Sequence, residues 1–114
     1  MFYNSNVKVV DIMHVHTVVV DEEKCRKYGK DPQKVWNAIE TIYASYDMKR
    51  EGNTFIADFD FDYTKEMCAI INLAKRQWFF ELVDVWNCDS DFGGINNLYR
   101  KYNNMRLWES RFGL

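Results

Sequence analysis

The amino-acid sequence predicts an α+β sandwich, with two main helices laid over a mainly antiparallel sheet. Three observations predict it. Stretches rich in β-branched residues alternate with helix-period stretches in the order strand, helix, strand or hairpin, helix, strand, and helices gathered over a sheet are a stable way to bury such faces. The chain has 114 residues, enough for one core and not two. Apolar residues make up 47% and aromatics 17%, which excludes disorder and calls for a filled interior.

The elements follow in order. Residues 7–20 are rich in valine and read as extended chain. That stretch exceeds the usual strand of about five or six residues, so it is one long strand or two pieces broken near Asp11-Ile12-Met13. Residues 21–30 read as a charged loop ending in a Tyr28-Gly29 turn. Asp31 is placed to cap a helix and Pro32 to open it, where its missing N–H costs nothing. Val35, Ile39, Ile42, Tyr43 and Tyr46 recur at helical spacing and predict a helix over residues 32–46.

Glu51-Gly52-Asn53 is a turn or bulge signal between residues 48–50 and 54–61. Phe55, Ala57, Phe59 and Phe61 alternate with Asp58, Asp60 and Asp62, giving one buried and one wet face. Thr64 is placed to cap a second helix with Met67, Ile70, Ile71 and Ala74 as its buried stripe, closing near Trp78-Phe79. Residues 82–88 read as a last core strand. Asp91-Phe92-Gly93-Gly94 breaks the chain, and residues 95–102 read as a third short helix. With no repeat, linker or low-complexity stretch, residues 1–114 form a single domain whose element order is that of a ferredoxin-like fold.

A formal net charge of −2 argues against a strong, non-specific nucleic-acid binder while leaving room for a local basic stripe. Cys25, Cys68 and Cys88 have no C-x-x-C spacing and read as free thiols in a reducing compartment. Residues 1–6 lack the pattern of a signal peptide, and no apolar run approaches the roughly 20 residues that span a bilayer. The expectation is a soluble cytoplasmic protein without a membrane partner.

Several short motifs recur in a telling order. Val18-Val19-Val20-Asp21 ends the first strand in an aspartate, and Tyr28-Gly29 closes the following loop. Gly52-Asn53-Thr54-Phe55 enters the next strand, Ile71-Asn72-Leu73-Ala74 precedes Trp78-Phe79, and Asp84 sits on the last strand. Over about residues 14–94 this arrangement resembles the virulence-associated protein D family (VapD) of toxin–antitoxin systems, whose fold is shared with the small CRISPR-associated nuclease-like subunit of spacer integration. The resemblance implies a homodimeric endoribonuclease that cleaves single-stranded RNA, in a toxin–antitoxin or mobile-element setting, with its cleft across the dimer axis. It casts Asp21 as the essential carboxylate, Asp84 as its support and Asn53 as the neighbour of the scissile phosphate.

The chain departs from that family in three ways. Asn53 stands where the family has serine, an extension precedes the matched strand, and residues 95–114 form a longer, more aromatic tail. Asn53, the acidic balance and the aromatic tail suit a second reading, a non-catalytic protein-binding module or inhibitor on the same dimeric fold.

Each candidate residue also has a structural role open to it. Asp21 can hold a divalent metal or act as general base toward a ribose 2′-hydroxyl, or simply open the charged loop; Asp11 rivals it if the first strand is residues 7–11. Asp84, on a strand expected to be half buried, must be paired or hydrogen-bonded, as a salt-bridged acid or a second catalytic carboxylate. Asn53 also reads as a turn residue tolerating positive φ. His14 and His16 share one strand face and suit metal or acid–base chemistry, or form a buried structural pair, since no third ligand is evident. Asp58, Asp60 and Asp62 read as a solvated edge.

Lys49-Arg50 with Lys75-Arg76 can form a basic stripe for an RNA backbone, or be ordinary surface charges. Tyr99, Arg100, Lys101, Tyr102, Arg106, Trp108 and Arg111 interleave aromatics with cations, a pattern for stacking bases or for gripping a protein partner. No zinc-ligand spacing, phosphate loop or Ser-His-Asp set appears; the sequence identifies no cofactor and leaves a divalent metal open.

Overall fold

The computed structural model describes residues 14–57, 63–90 and 94–105. In chain order the elements are β1 (His14–Val20), α1 (Glu22–Lys27), α2 (Pro32–Ala44), β2 (Met48–Glu51), β3 (Thr54–Ala57), α3 (Tyr63–Ala74), α4 (Gln77–Leu82), β4 (Val83–Ser90), β5 (Gly94–Asn97) and α5 (Leu98–Met105). The strands make one antiparallel sheet in the order β2-β3-β1-β4-β5, with β1 at its centre. The fold is therefore α+β, with five strands and five helices among the described residues. None of those helices is long and apolar enough to cross a membrane.

One sheet face carries the core. His16, Val18 and Val20 of β1, Phe55 and Ala57 of β3, and Trp86 and Cys88 of β4 are all buried. Four helices reach this face. Tyr43 of α2 stacks on Phe55 with ring centroids 4.2 Å apart. Ala69, Ile70 and Leu73 line the buried side of α3. Phe79 of α4 meets Trp86 edge to face at 4.8 Å, and Tyr102 of α5 lies 5.9 Å from the same indole. Each large side chain buried in this way contributes about 1.5–3 kcal/mol.

Within residues 21–30 the Tyr28-Gly29 turn is present, but Glu22–Lys27 form a helix, α1, instead of the expected loop. The Asp21 side chain accepts from the Lys24 backbone N–H at 3.1 Å and caps α1; acids in its first turn and bases in its last suit the helix dipole. The buried Cys25 side chain pins that helix to the core. α2 stops at Ala44 rather than at residue 46, because the chain reverses through Asp47 at φ 64.

The second long helix also differs. It breaks at Lys75-Arg76, so Trp78 and Phe79 belong to the separate α4. Thr64 lies within the first turn of α3 rather than before it. The buried stripe of α3 is Glu66, Ala69, Ile70, Leu73 and Ala74, whereas Met67 is 45% exposed. Leu82 closes α4, and β4 begins one residue later. Residues 95–97 pair with β4 as a strand, Asp89 opposite Ile95, before helix starts at Leu98. Asp11, Asp58, Phe59, Asp60, Phe61, Asp62, Arg106, Trp108 and Arg111 lie outside the described residues.

Candidate functional site

The antiparallel register brings the three predicted catalytic residues to one end of the sheet. Val20 pairs with Val83, and the Asp21 backbone N–H donates to the Leu82 carbonyl at 2.9 Å. The Val18 N–H donates to the Asn53 carbonyl at 2.8 Å, which ties the β2–β3 turn to β1. Asp21, Asn53 and Asp84 thus lie toward the C-terminal end of β1. Their individual states differ from expectation. Asp84 is exposed rather than half buried. Pairing steps from Val19–Val85 to Val20–Val83, so Asp84 is the extra residue of a bulge and turns out of the ladder. Asn53 is exposed, and the positive φ of its turn falls on Gly52 at 66°. Asp21 is half buried and already serves as a helix cap.

The basic candidates sit toward the same end, since Arg50 pairs with Phe55 at the start of β3 and Lys75-Arg76 join α3 to the helix that leads into β4. The Arg50 guanidinium lies 4.2 Å over the Trp36 ring and donates to Glu40 at 3.2 Å and to the Gly52 carbonyl at 2.7 Å. Arg76 donates to Asn72 Oδ1 from Nε and Nη2 at 3.1 and 2.8 Å, and Asn72 in turn donates to the Tyr46 hydroxyl. Lys49 and Lys75 are exposed. A groove of about 590 Å³ runs along the outer side of α3, between Tyr46, Thr64, Met67, Cys68, Ile71 and Asn72, and ends at Lys75 and Arg76. An apolar, partly aromatic wall closed by cations is the chemistry that holds a base beside its phosphate. The aromatics of α5 point elsewhere: Tyr102 is buried and the Tyr99 hydroxyl donates to the Phe80 carbonyl at 2.7 Å.

The chain matches no family model, no curated protein and no solved structure. Its chemistry therefore rests on its own geometry, which holds a second cluster at the other end of β1.

Here the two histidines find the partner that sequence did not reveal. His14 Nδ1 contacts both Glu66 oxygens, at 3.0 and 2.8 Å, and His16 Nε2 lies 2.7 Å from Glu66 Oε2. His16 Nδ1 is 2.8 Å from the Tyr43 hydroxyl, to which the Trp86 indole N–H donates at 2.9 Å. The Cys88 thiol donates to Glu66 Oε2 at 3.6 Å. The donor inventory constrains the chain. An indole can only donate, so the Tyr43 oxygen accepts from Trp86. With the Tyr43 hydrogen assigned to His16 Nδ1, the nearest acceptor for it, the His16 Nε2–H faces the Glu66 carboxylate.

Burial by itself would raise the Glu66 carboxyl, but hydrogen bonds from His16 and His14 outweigh it and hold the group below its ordinary range. Burial keeps the Tyr43 phenol protonated, well above its usual value. Burial and the neighbouring Glu66 charge push the Cys88 thiol up to about 12, so it is a poor nucleophile as it stands. Glu66, Tyr43, Trp86 and Cys88 went unpredicted as a group. The available signal was the i, i+4, i+7 spacing of Glu66, Ile70 and Leu73, which sets an acid on the core side of a helix facing a His-x-His strand.

Proposed function

We propose that the chain forms a ferredoxin-like homodimer in the cytoplasm and acts as a VapD-like endoribonuclease on single-stranded RNA. The order β2-β3-β1-β4, with α2 crossing from β1 to β2 and α3 and α4 crossing from β3 to β4, supports the split βαβ arrangement of that fold. The gathering of Asp21, Asn53 and Asp84 at one end of β1 carries the functional reading. In this mechanism bases lie along the groove against Tyr46 and Met67, and Lys75 meets a phosphate. Asp21 takes the proton of a ribose 2′-hydroxyl as its oxygen attacks phosphorus. The bond to the 5′-oxygen breaks, that oxygen takes a proton from water, and a cyclic phosphate remains. Asp84 steadies the charge near Asp21, and the Asn53 amide donates to the phosphate.

The test is cleavage of labelled single-stranded RNA, with and without magnesium, by wild type and by Asp21→Asn. Asparagine caps a helix as well as aspartate does, so this variant removes the base and spares α1. Cleavage should fall by about 100-fold or more while mass and circular dichroism stay native. Undiminished cleavage by Asp21→Asn removes this mechanism. The second reading, a non-catalytic protein-binding module or inhibitor, is favoured by the intramolecular bonds that already occupy Arg50 and Arg76. Wild type that cleaves no RNA under either condition selects it.

A further inference from the structure

We propose that His14, Glu66 and Cys88 bind a divalent transition metal, zinc in the first instance, beneath α3 at the N-terminal end of β1. One donor atom from each residue lies within 4.8 Å of the other two. This site is at the far end of β1 from Asp21 and stands independently of the ribonuclease reading.

The donor set selects the metal. An imidazole, a carboxylate and a thiol together suit zinc or a neighbouring first-row ion, whereas magnesium and calcium take oxygen alone. Spacing is already close to what coordination needs. Bonds of about 2.0–2.3 Å in a tetrahedron set donors roughly 3.3–3.6 Å apart; Glu66 Oε2 is 2.8 Å from His14 Nδ1 and 3.6 Å from Cys88 Sγ. Rigid elements hold all three. His14 and Cys88 come from paired central strands, two residues apart in register, and Glu66 comes from the helix packed over them.

The supporting groups match those of metal centres. His16 donates to Glu66 and is itself oriented by Tyr43 and Trp86, the kind of outer partner that fixes a ligand's direction. Charge also balances. An ionised Glu66 and a Cys88 thiolate would neutralise a dication, so the buried cluster ends with no net charge. Binding releases the Cys88 thiol proton to solvent, and the His14 Nδ1 proton gives way to the metal by moving to Nε2, so the imidazole stays neutral. The His14 side chain is 14% exposed, which gives the ion an entry.

The experiment uses the full chain after chelator treatment, titrated with cobalt(II) as the spectroscopic stand-in and with zinc for thermal shift and elemental analysis. Wild type and the control Cys68→Ser, which alters an exposed cysteine, should take up one cobalt per chain with a thiolate-to-cobalt charge-transfer band in the near ultraviolet. Cys88→Ser should lose that band, and His14→Ala should bind more than about tenfold more weakly. If Cys88→Ser fails to fold, His14→Ala decides the matter: loss of the zinc-induced rise in Tm supports the site, and an undiminished rise overturns it. Wild type that retains neither ion, or a charge-transfer band that persists in Cys88→Ser, also overturns it.

Discussion

Replacing Tyr43 by phenylalanine removes one oxygen and orphans two buried groups. The ring keeps its stack on Phe55 at 4.2 Å, so the packing loss is small. What disappears is the acceptor of the Trp86 indole N–H at 2.9 Å and the donor to His16 Nδ1 at 2.8 Å. Tyr43, His16 and Trp86 are all fully buried, so bulk water does not substitute. At about 1–3 kcal/mol for each unsatisfied group, the substitution should cost about 2–6 kcal/mol. Whole-domain stability is typically about 5–15 kcal/mol, so the variant should be visibly compromised. At roughly 4–8 °C per kcal/mol, even the lower bound lowers Tm by about 8–16 °C. Urea unfolding followed by far-ultraviolet circular dichroism measures the loss, with Tyr46→Phe as the comparison. The Tyr46 hydroxyl accepts from Asn72 at 3.1 Å in a part-buried setting, and its removal should cost under about 1 kcal/mol. A Tyr43→Phe penalty below about 1 kcal/mol, at unchanged urea dependence, would refute the directed network from Trp86 to Glu66.

Three further outcomes are expected. Gly52→Ala should destabilise by about 1–2 kcal/mol through the backbone alone, because φ is +66° and no atom lies within 4 Å of the added methyl; a neutral denaturation result would contradict that account. Glu66 has a folded-state carboxyl below its ordinary 4.5, so the unfolded chain takes up the proton first. Stability is therefore present above about pH 4.5 and is lost as pH falls through the folded value, and acid titration of Glu66→Gln should show a flatter limb than wild type. Cys88 behaves in the opposite sense. Its thiol rises from 9.0 to about 12 on folding, so stability present below pH 9 should decay between about pH 9 and 12, and Cys88→Ala should lessen that decay.

Sequence made some of this legible and hid the rest for identifiable reasons. α2 announced itself through the Asp31 cap, the Pro32 start and the Val35, Ile39, Tyr43 stripe, all of which the structure uses. The β2–β3 hairpin was marked by Gly52. α1 was hidden because a single apolar residue, Cys25, anchors it. The break between α3 and α4 was hidden because neither glycine nor proline marks Lys75-Arg76. β5 looked helical because it is an exposed edge, with Ile95 72% accessible, and carries no alternating apolar face. Of the candidate residues, Asp21, Asn53 and Asp84 were individually visible, but the bulge that turns Asp84 outward depends on pairing that a single strand does not encode. Glu66 was invisible because an acid within a helix reads as surface until the two histidines beneath it are known.

β1 has an unusual weakness that its polar partners repair. Val18 and Val20 face the helices, while Val15 and Val19 face the other side, so apolar content hardly distinguishes one face of this strand from the other. A slip of one residue would exchange the faces at little hydrophobic penalty. It would also carry His16 away from Tyr43 and Glu66 and strand the bonds of both. Each abandoned group would weigh about 1–3 kcal/mol against the slipped sheet. The histidines thus work as a key cut for a single alignment, and the central strand is threaded correctly because its wrong threadings do not turn the lock.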